Sequence, residues 1–308
     1  MSSFYSLISG NFVVYINLRK MSLHKENAES ISPYQNYSAM KIELRHGVAY
    51  LTFDNPPINV LDAKLISDLM GFAKKVIADQ SVKVIVFQSS NPDFFLAHGD
   101  MNFVTNPASL MDLADAGSDP NLNPMQQLHE RLRNLPQVTI ARLAGFARGG
   151  GNELAMALDM RFAVEGKTWL GQPETLMGII PGGGGTQYLS KLAGRARALE
   201  VILGGELLDS ATAEKYGVIN KAIPEEQIDS YIERLATRIA SLLPGVIDAA
   251  KSAVDAASHN TNGITTESAM LLKVFAEPAA SAKMIAAMEK GAQTVAGEHK
   301  LEEILNSI

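Results

Sequence analysis

From Lys41 onward the chain settles into a regular alternation of apolar runs and polar breaks. Lys41 to Leu44 and Val48 to Phe53 read as strands around a His46-Gly47 turn, and Asn55-Pro56-Pro57 closes the pair. Leu65, Ile66, Leu69, Met70, Ala73, Val76 and Ile77 then recur at helical spacing, with Asp62 placed to cap the helix. Val84-Ile85-Val86-Phe87 is a short unbroken apolar run, the pattern of a strand covered on both faces. The order strand, helix, strand repeats, with strands predicted at Val138 to Leu143 and Met160 to Ala163, so an α/β fold with a mostly parallel sheet and right-handed crossovers is expected. Thr105 to Pro124 is rich in Asn, Asp, Pro and Ala and has no steady period, which reads as a long loop or a loose helix, the kind of segment that often acts as a lid. Beyond Pro181 the pattern turns almost wholly helical. Apolar faces run from Leu189 to Leu203, Ile228 to Leu243 and Val246 to Ala256, followed by an Ala- and Met-rich helical stretch from Thr265 to Ile308.

Composition narrows this picture. With 308 residues, 46% of them hydrophobic, the chain is long enough to bury a sizeable core. A formal net charge of -6 leaves no basic footprint for nucleic acid. The absence of cysteine excludes disulfides, thiolate zinc sites and a cysteine nucleophile, and fits a reducing compartment. Residues 1–40 stand apart as a leader, read either as disordered or as sequence upstream of a working start at Met21 or Met40. Phe4 to Leu18 is too short and too polar for a membrane span, and the lack of acidic residues from Met1 to Lys25 leaves a mitochondrial targeting peptide open beside the plainer cytoplasmic reading. The expected division is therefore 1–40 leader, 41–224 α/β core and 225–308 helical region.

Three glycine-containing segments carry candidate chemistry. Ala97-His98-Gly99-Asp100 follows an apolar run, and its glycine permits either a simple turn or close approach of a ligand to the backbone. Arg148-Gly149-Gly150-Gly151-Asn152-Glu153 lies between a predicted strand and a helix, so unpaired N–H groups at a helix start stand free of any Cβ. Such an end can hold an anion or a developing oxyanion, or it can be a flexible turn with Glu153 as a partner of the helix dipole. In Gly171-Gln172-Pro173-Glu174, Pro173 stiffens the backbone ahead of a carboxylate that is either solvated or partly buried among Leu170, Leu176 and Met177. Other motifs fail on spacing: Gly182 to Gln187 lacks the last glycine of a dinucleotide fingerprint, and Arg161 stands where a P-loop ending in Gly166-Lys167-Thr168 needs its first. No metal-ligand spacing joins the six histidines, and no metal is expected.

Taken in order, Asn55-Pro56-Pro57 with Asn59-Val60-Leu61, Phe95 to Met101, Ala144 to Ala163 and Gly171 to Gln187 resemble the enoyl-CoA hydratase/isomerase, or crotonase, superfamily. The resemblance runs from about Ile42 to Ile223. It implies a spiral of ββα units, a helical C-terminal region that makes a homotrimer or a hexamer of two trimers, and an acyl-CoA substrate with no separate cofactor. It also implies a role in fatty acid metabolism. By that resemblance the N–H groups of Gly99 and Gly150 form an oxyanion hole for the thioester carbonyl, and Glu153 and Glu174 are the catalytic pair that adds water to a 2-enoyl-CoA. Ala97, His98, Asp100, Met101 and Arg148 become candidate substrate contacts. Double-bond isomerisation through Glu174 alone, decarboxylation and thioester hydrolysis are the alternatives. Four departures stand out. Ala144 replaces the usual Asn or Asp before Gly145, His98 replaces a common glycine, Arg148 replaces a small or apolar residue, and Met288-Glu289-Lys290 runs into Gly291-Ala292-Gln293 without the family's usual basic ending.

Overall fold

The computed structural model of the chain describes residues 33–242, 245–255, 268, 271, 272, 276 and 278–308. Residues 1–32 of the expected leader and part of the helical stretch expected from Thr265 lie outside the described residues. Packed structure begins before Lys41, since Tyr34, Ala39 and Met40 are buried and the Tyr34 ring meets Phe72 edge-on at 5.4 Å.

Strands β1 (Met40–Arg45) and β2 (Val48–Phe53) pair antiparallel across the His46-Gly47 turn, where both residues take positive φ. Helix α1 (Ala63–Val76) starts where Asp62 accepts the Leu65 N–H at 2.8 Å and buries Leu65, Ile66, Leu69, Met70, Phe72, Ala73 and Val76. Each large side chain among them stabilises the fold by about 1.5–3 kcal/mol. Next come β3 (Val84–Ser89), β4 (Phe94–Leu96), α2 (Asn102–Thr105), α3 (Ala108–Met111), α4 (Pro124–Arg133), β5 (Val138–Arg148), α5 (Gly150–Ala157) and β6 (Met160–Gly171). A 3₁₀ turn, Pro173–Met177, leads to α6 (Gly185–Ala193), α7 (Arg195–Gly204), β7 (Leu208–Asp209), α8 (Ser210–Tyr216) and β8 (Lys221–Ile223). Helices α9 (Glu225–Ala240), α10 (Val246–Asp255), α11 (Pro278–Glu289), α12 (Val295–Glu298) and α13 (Leu301–Asn306) follow.

Three expectations change in detail. The single helix expected over Leu189 to Leu203 is two, because Gly194 at φ 79° separates α6 from α7. The segment from Thr105 to Pro124 is the loose-helix alternative, with α3 inside it and turns around it. Both β5 and β6 run well past their predicted ends, and the two-residue β7 and three-residue β8 are additions.

The sheet order is β1-β2-β3-β5-β6-β7, with β4 also on β5 and β8 also on β6. All pairs are parallel except β1 with β2 and β6 with β7. Both faces are covered. Leu51, Ile85, Phe87 and Ala141 join α1 in the larger core, while Val48, Val84, Ile140 and Phe162 pack with Ile228, Ile232 and Ala236 of α9 on the other side.

Strand β5 changes partner along its length. Its first half pairs β3, from Val84 opposite Val138 to Phe87 opposite Ala141, and its second half pairs β4, with Phe94 opposite Phe146 and Leu96 opposite Ala147. The change occurs at an irregularity at Gly145, where φ is 71° and a Cβ would lie 2.0 Å from the Asp93 carbonyl oxygen. Only glycine fits there. The consequence is positional: the ends of β4 and β5 lie side by side, and so do the residues just past them.

Candidate active site

Those residues are Gly99 and Gly150. A Cβ on Gly150 would stand 3.1 Å from the Gly99 nitrogen and 3.2 Å from its α-carbon, so the two glycines are in direct contact. Gly99 forms an isolated parallel bridge with Leu61, in which Leu61 donates to the His98 carbonyl at 2.9 Å and Asp100 donates to the Leu61 carbonyl at 3.2 Å. That pattern uses the groups on either side of Gly99 and leaves its own N–H out of the ladder. Gly150 opens α5 after Gly149, which has φ 46° and no space for a side chain, since a Cβ there would meet the Glu174 carboxylate at 2.9 Å. As the first residue of a helix, Gly150 has no intrahelical acceptor for its N–H.

Both glycines line a cavity of about 670 Å³, together with Glu153 and Glu174. Most of the remaining wall is apolar, from Met101, Phe103, Leu110, Met125, Leu271 and Met284. Helices α2 and α3 supply part of it, so the irregular segment between Thr105 and Pro124 contributes to the wall.

Glu153 sits one turn into α5 and is 2% exposed. Its Oε1 accepts the N–H groups of Gly183 and Gly185, each at 2.8 Å. The neighbouring Gly183 carbonyl is held in turn by His129 Nδ1 at 2.6 Å. His129 is fully buried, and burial pushes its pKa down to about 4, only partly offset by the hydrogen bond to Gly183, so the ring is neutral at physiological pH with its proton on Nδ1. Glu174 lies at the start of the 3₁₀ turn and is 7% exposed. Gln172 Nε2 approaches its carboxylate at 3.3 Å, with Asn152 donating to Gln172 Oε1 at 2.9 Å and thereby setting which end of the amide faces Glu174.

His98 and Arg148 are both buried. His98 contacts the Gly99 carbonyl through Nδ1 at 2.8 Å and Glu298 through Nε2 at 2.8 Å. Burial opposes a charge on its ring, but the charge and hydrogen bond of Glu298, with the Gly99 carbonyl, outweigh burial and the repulsion of Arg148, and its pKa ends above the ordinary 6.5. Burial works against a charge on Glu298 as well. There the charge and hydrogen bond of His98, the Gln293 amide and Arg148 prevail, and the carboxyl is held below its usual range.

Of the expected substrate contacts, His98, Asp100 and Met101 line the cavity, while Ala97 packs with Ile58 and Phe94 in a small apolar cluster. Arg148 is not part of the wall. It has no exposed surface, and its guanidinium is committed to Glu298, Glu302 and the Phe146 ring. Its side chain bridges the end of β5 to the C-terminal helices rather than facing the cavity. Among the residues without an expected role, Gln172 and Asn152 stood inside the quoted motifs, whereas His129 and Glu298 carried no local signal. Among the described residues, no helix is long and apolar enough to cross a membrane.

A mostly parallel sheet thus brings Gly99, Gly150, Glu153 and Glu174 to one largely apolar cavity in an α/β protein. The comparisons place it: residues 43–296 match the model of the enoyl-CoA hydratase/isomerase family, and the chain belongs to that family. Among solved structures, a protein from Streptomyces avermitilis provisionally named an enoyl-CoA hydratase is 45% identical, covers 88% of this chain and 98% of its own, and superposes with a TM-score of 0.85. DspI of Pseudomonas aeruginosa is 27% identical, with 77% and 93% covered and a TM-score of 0.67. Among curated relatives, the fatty acid oxidation complex subunit alpha of Aliivibrio fischeri is 36% identical over 184 residues, which is 58% of this chain. The match spans about a quarter of that relative, 26% of its length.

Proposed function

We propose that the protein hydrates 2-enoyl-CoA thioesters to 3-hydroxyacyl-CoA. The observation that carries this reading is that Glu153 and Glu174 line the same cavity as Gly99 and Gly150. With the thioester oxygen at the two glycine N–H groups, attack at the β-carbon places negative charge on that oxygen as an enolate. Donors already aimed at the oxygen stabilise this charge, and one such donor is typically worth on the order of 10²- to 10³-fold in rate. A water between Glu153, as carboxylate, and Glu174, as carboxylic acid, gives a proton to Glu153 as its oxygen bonds to the β-carbon, and Glu174 delivers its own proton to the α-carbon as the enolate collapses. The new hydroxyl then comes from the water and the new α-hydrogen from Glu174, and the proton left on Glu153 passes back to Glu174 before the next turnover. The apolar wall favours an acyl chain without charge.

Purified protein with crotonyl-CoA and longer enoyl-CoA thioesters is expected to consume the conjugated double bond and yield the 3-hydroxy product. Absence of hydration at every chain length, in folded protein, defeats the reading. Glu153→Gln separates hydration from double-bond isomerisation. A hydratase loses most of its rate, while an isomerase that moves one proton through Glu174 keeps it.

A further inference from the structure

His98 and Arg148, the two departures beside the glycine motifs, take no part in the proton transfers proposed above. Yet they converge on one carboxylate. Glu298 Oε1 lies 2.8 Å from His98 Nε2 and also accepts the Gln293 N–H at 2.7 Å, Oε2 lies 3.4 Å from Arg148 Nη1, and the Glu298 carbonyl accepts Arg148 Nη2 at 2.9 Å. Glu302 completes the set by accepting Arg148 Nε at 2.7 Å. The same segment makes further contacts with the same two strand ends. Gln293 Nε2 donates to Asp100 at 3.0 Å, and the His299 ring packs against Phe94 of β4 and Phe146 of β5, with ring centroids 5.7 and 6.4 Å apart.

The His98 ring faces an acceptor at each nitrogen. Neutral imidazole donates through one nitrogen only, so both contacts are hydrogen bonds only when the ring is the imidazolium. Glu298 supplies the counter-charge that a buried imidazolium needs.

Gly99 has no side chain to restrict its backbone, so the direction of its N–H depends on what grips the peptides around it. The backbone grips are Leu61 on the His98 carbonyl and the Asp100 N–H on the Leu61 carbonyl, and the side-chain grip is the His98 ring on the Gly99 carbonyl. The peptide that carries the Gly150 N–H is held differently, its Gly149 carbonyl accepting from Glu153 within α5 at 2.8 Å. We propose that Glu298 is a positioning residue: through His98, with Arg148 holding Glu298 in place, it fixes the backbone around the Gly99 N–H, and so sets how strongly a bound thioester carbonyl is polarised. This rests on the oxyanion role of the two glycines.

The test uses the full chain and a chromophoric ligand, 4-(dimethylamino)cinnamoyl-CoA, whose absorption moves to longer wavelength when its carbonyl oxygen accepts strong hydrogen bonds. Wild type is expected to shift the band on binding. Glu298→Gln is expected to bind the probe within about threefold of wild type, to lose most of the shift, and to lower kcat for enoyl-CoA hydration by about 10- to 100-fold at nearly constant KM, as a small misplacement of donors does. Glu298→Asp, which keeps the charge, should restore part of both. If Glu298→Gln does not fold, His98→Gln cuts the same tie while leaving Arg148 paired, and the same loss of shift is expected. A full shift in a folded Glu298→Gln or His98→Gln variant overturns the positioning role alone. If wild type binds the probe without any shift, the oxyanion reading of the glycines fails, and this proposal fails with it.

Discussion

Glu153 and the Gly99-Gly150 pair face the same cavity, yet they are held there by different kinds of force. Glu153 is fixed by two backbone amides, with a neutral histidine behind them. At Gly99 the backbone bridge to Leu61 is joined by an ionic network of His98, Glu298, Arg148 and Glu302 that ends on the Gly99 carbonyl. The difference follows from what each side must present. A carboxylate brings its own charge and needs donors around it that carry no net charge to cancel it. A backbone N–H brings no charge and no side chain, so its orientation must come from groups strong enough to hold the peptide on each side.

The contrast can be broken from the Glu153 side first, where the largest effect is expected. Glu153→Gln keeps an oxygen for the Gly183 and Gly185 amides but removes the base, so kcat for hydration should fall by on the order of 10²- to 10⁴-fold while the melting temperature stays close to wild type. A large melting shift would show that the amides need the charge rather than the shape.

The second effect is one of stability. The folded pKa of His129 is depressed to about 4 from 6.5. Below pH 6.5 the unfolded chain therefore binds a proton that the native state refuses, and stability falls as pH drops, by up to about 3 kcal/mol near pH 4. His129→Gln keeps a donor for the Gly183 carbonyl and cannot titrate, so denaturant unfolding from pH 7 to 4 should show a shallower loss than wild type. Equal slopes in the two proteins would mean that His129 is protonated without cost.

Third, Gly183→Ala inserts a methyl 2.5 Å from Glu153 Oε2 and 3.0 Å from His129 Cε1. Both neighbours are buried, so the carboxylate has to shift, and kcat should fall by about 10²-fold with circular dichroism unchanged. A rate within a few-fold of wild type would show that the Glu153 cradle tolerates displacement.

The smallest effect comes from the ionic side, because burial offsets much of what Glu298 contributes to His98. The folded pKa of His98 is raised, so its contribution to stability is complete below about 6.5 and is lost as pH climbs through the raised value. Glu298 and Arg148 are the charged groups that face it. The melting temperature of wild type should decline as pH rises above about 6.5 through that raised value and that of His98→Gln should not; parallel curves would place the charge elsewhere.

Much of this arrangement is legible in the sequence, and the limits have physical causes. Gly99, Gly150, Glu153 and Glu174 lie in short motifs that the family resemblance singles out, and the structure brings all four to one cavity. Helix α1 and strand β3 were found because their apolar periods are unbroken. The far half of β5 was missed, since Ala144 to Arg148 mixes Gly, Ala and Arg and shows no strand period. Gly145 could be recognised as a turn residue, but not as the point where β4 replaces β3, which depends on the Asp93 carbonyl closing in. His98 and Arg148 stand out in the sequence as departures, His98 as a candidate substrate contact and Arg148 as either a substrate contact or a bridge between neighbouring segments, and the contacts of Arg148 are those of the bridge. Their shared partner is a glutamate 200 and 150 positions away, with no periodic or motif signal to connect them.

That separation in sequence also sets an order of assembly. On a ribosome making about 5–20 residues per second, Glu298 emerges roughly 8 to 30 s after Arg148. Every strand among the described residues is complete by Ile223, so a nascent chain can close its sheet with both glycines present and the ionic ties around Gly99 not yet made. The contacts that aim the Gly99 donor are thus among the last that can form, and acquiring the fold and acquiring a tuned site become separate events in the life of each molecule.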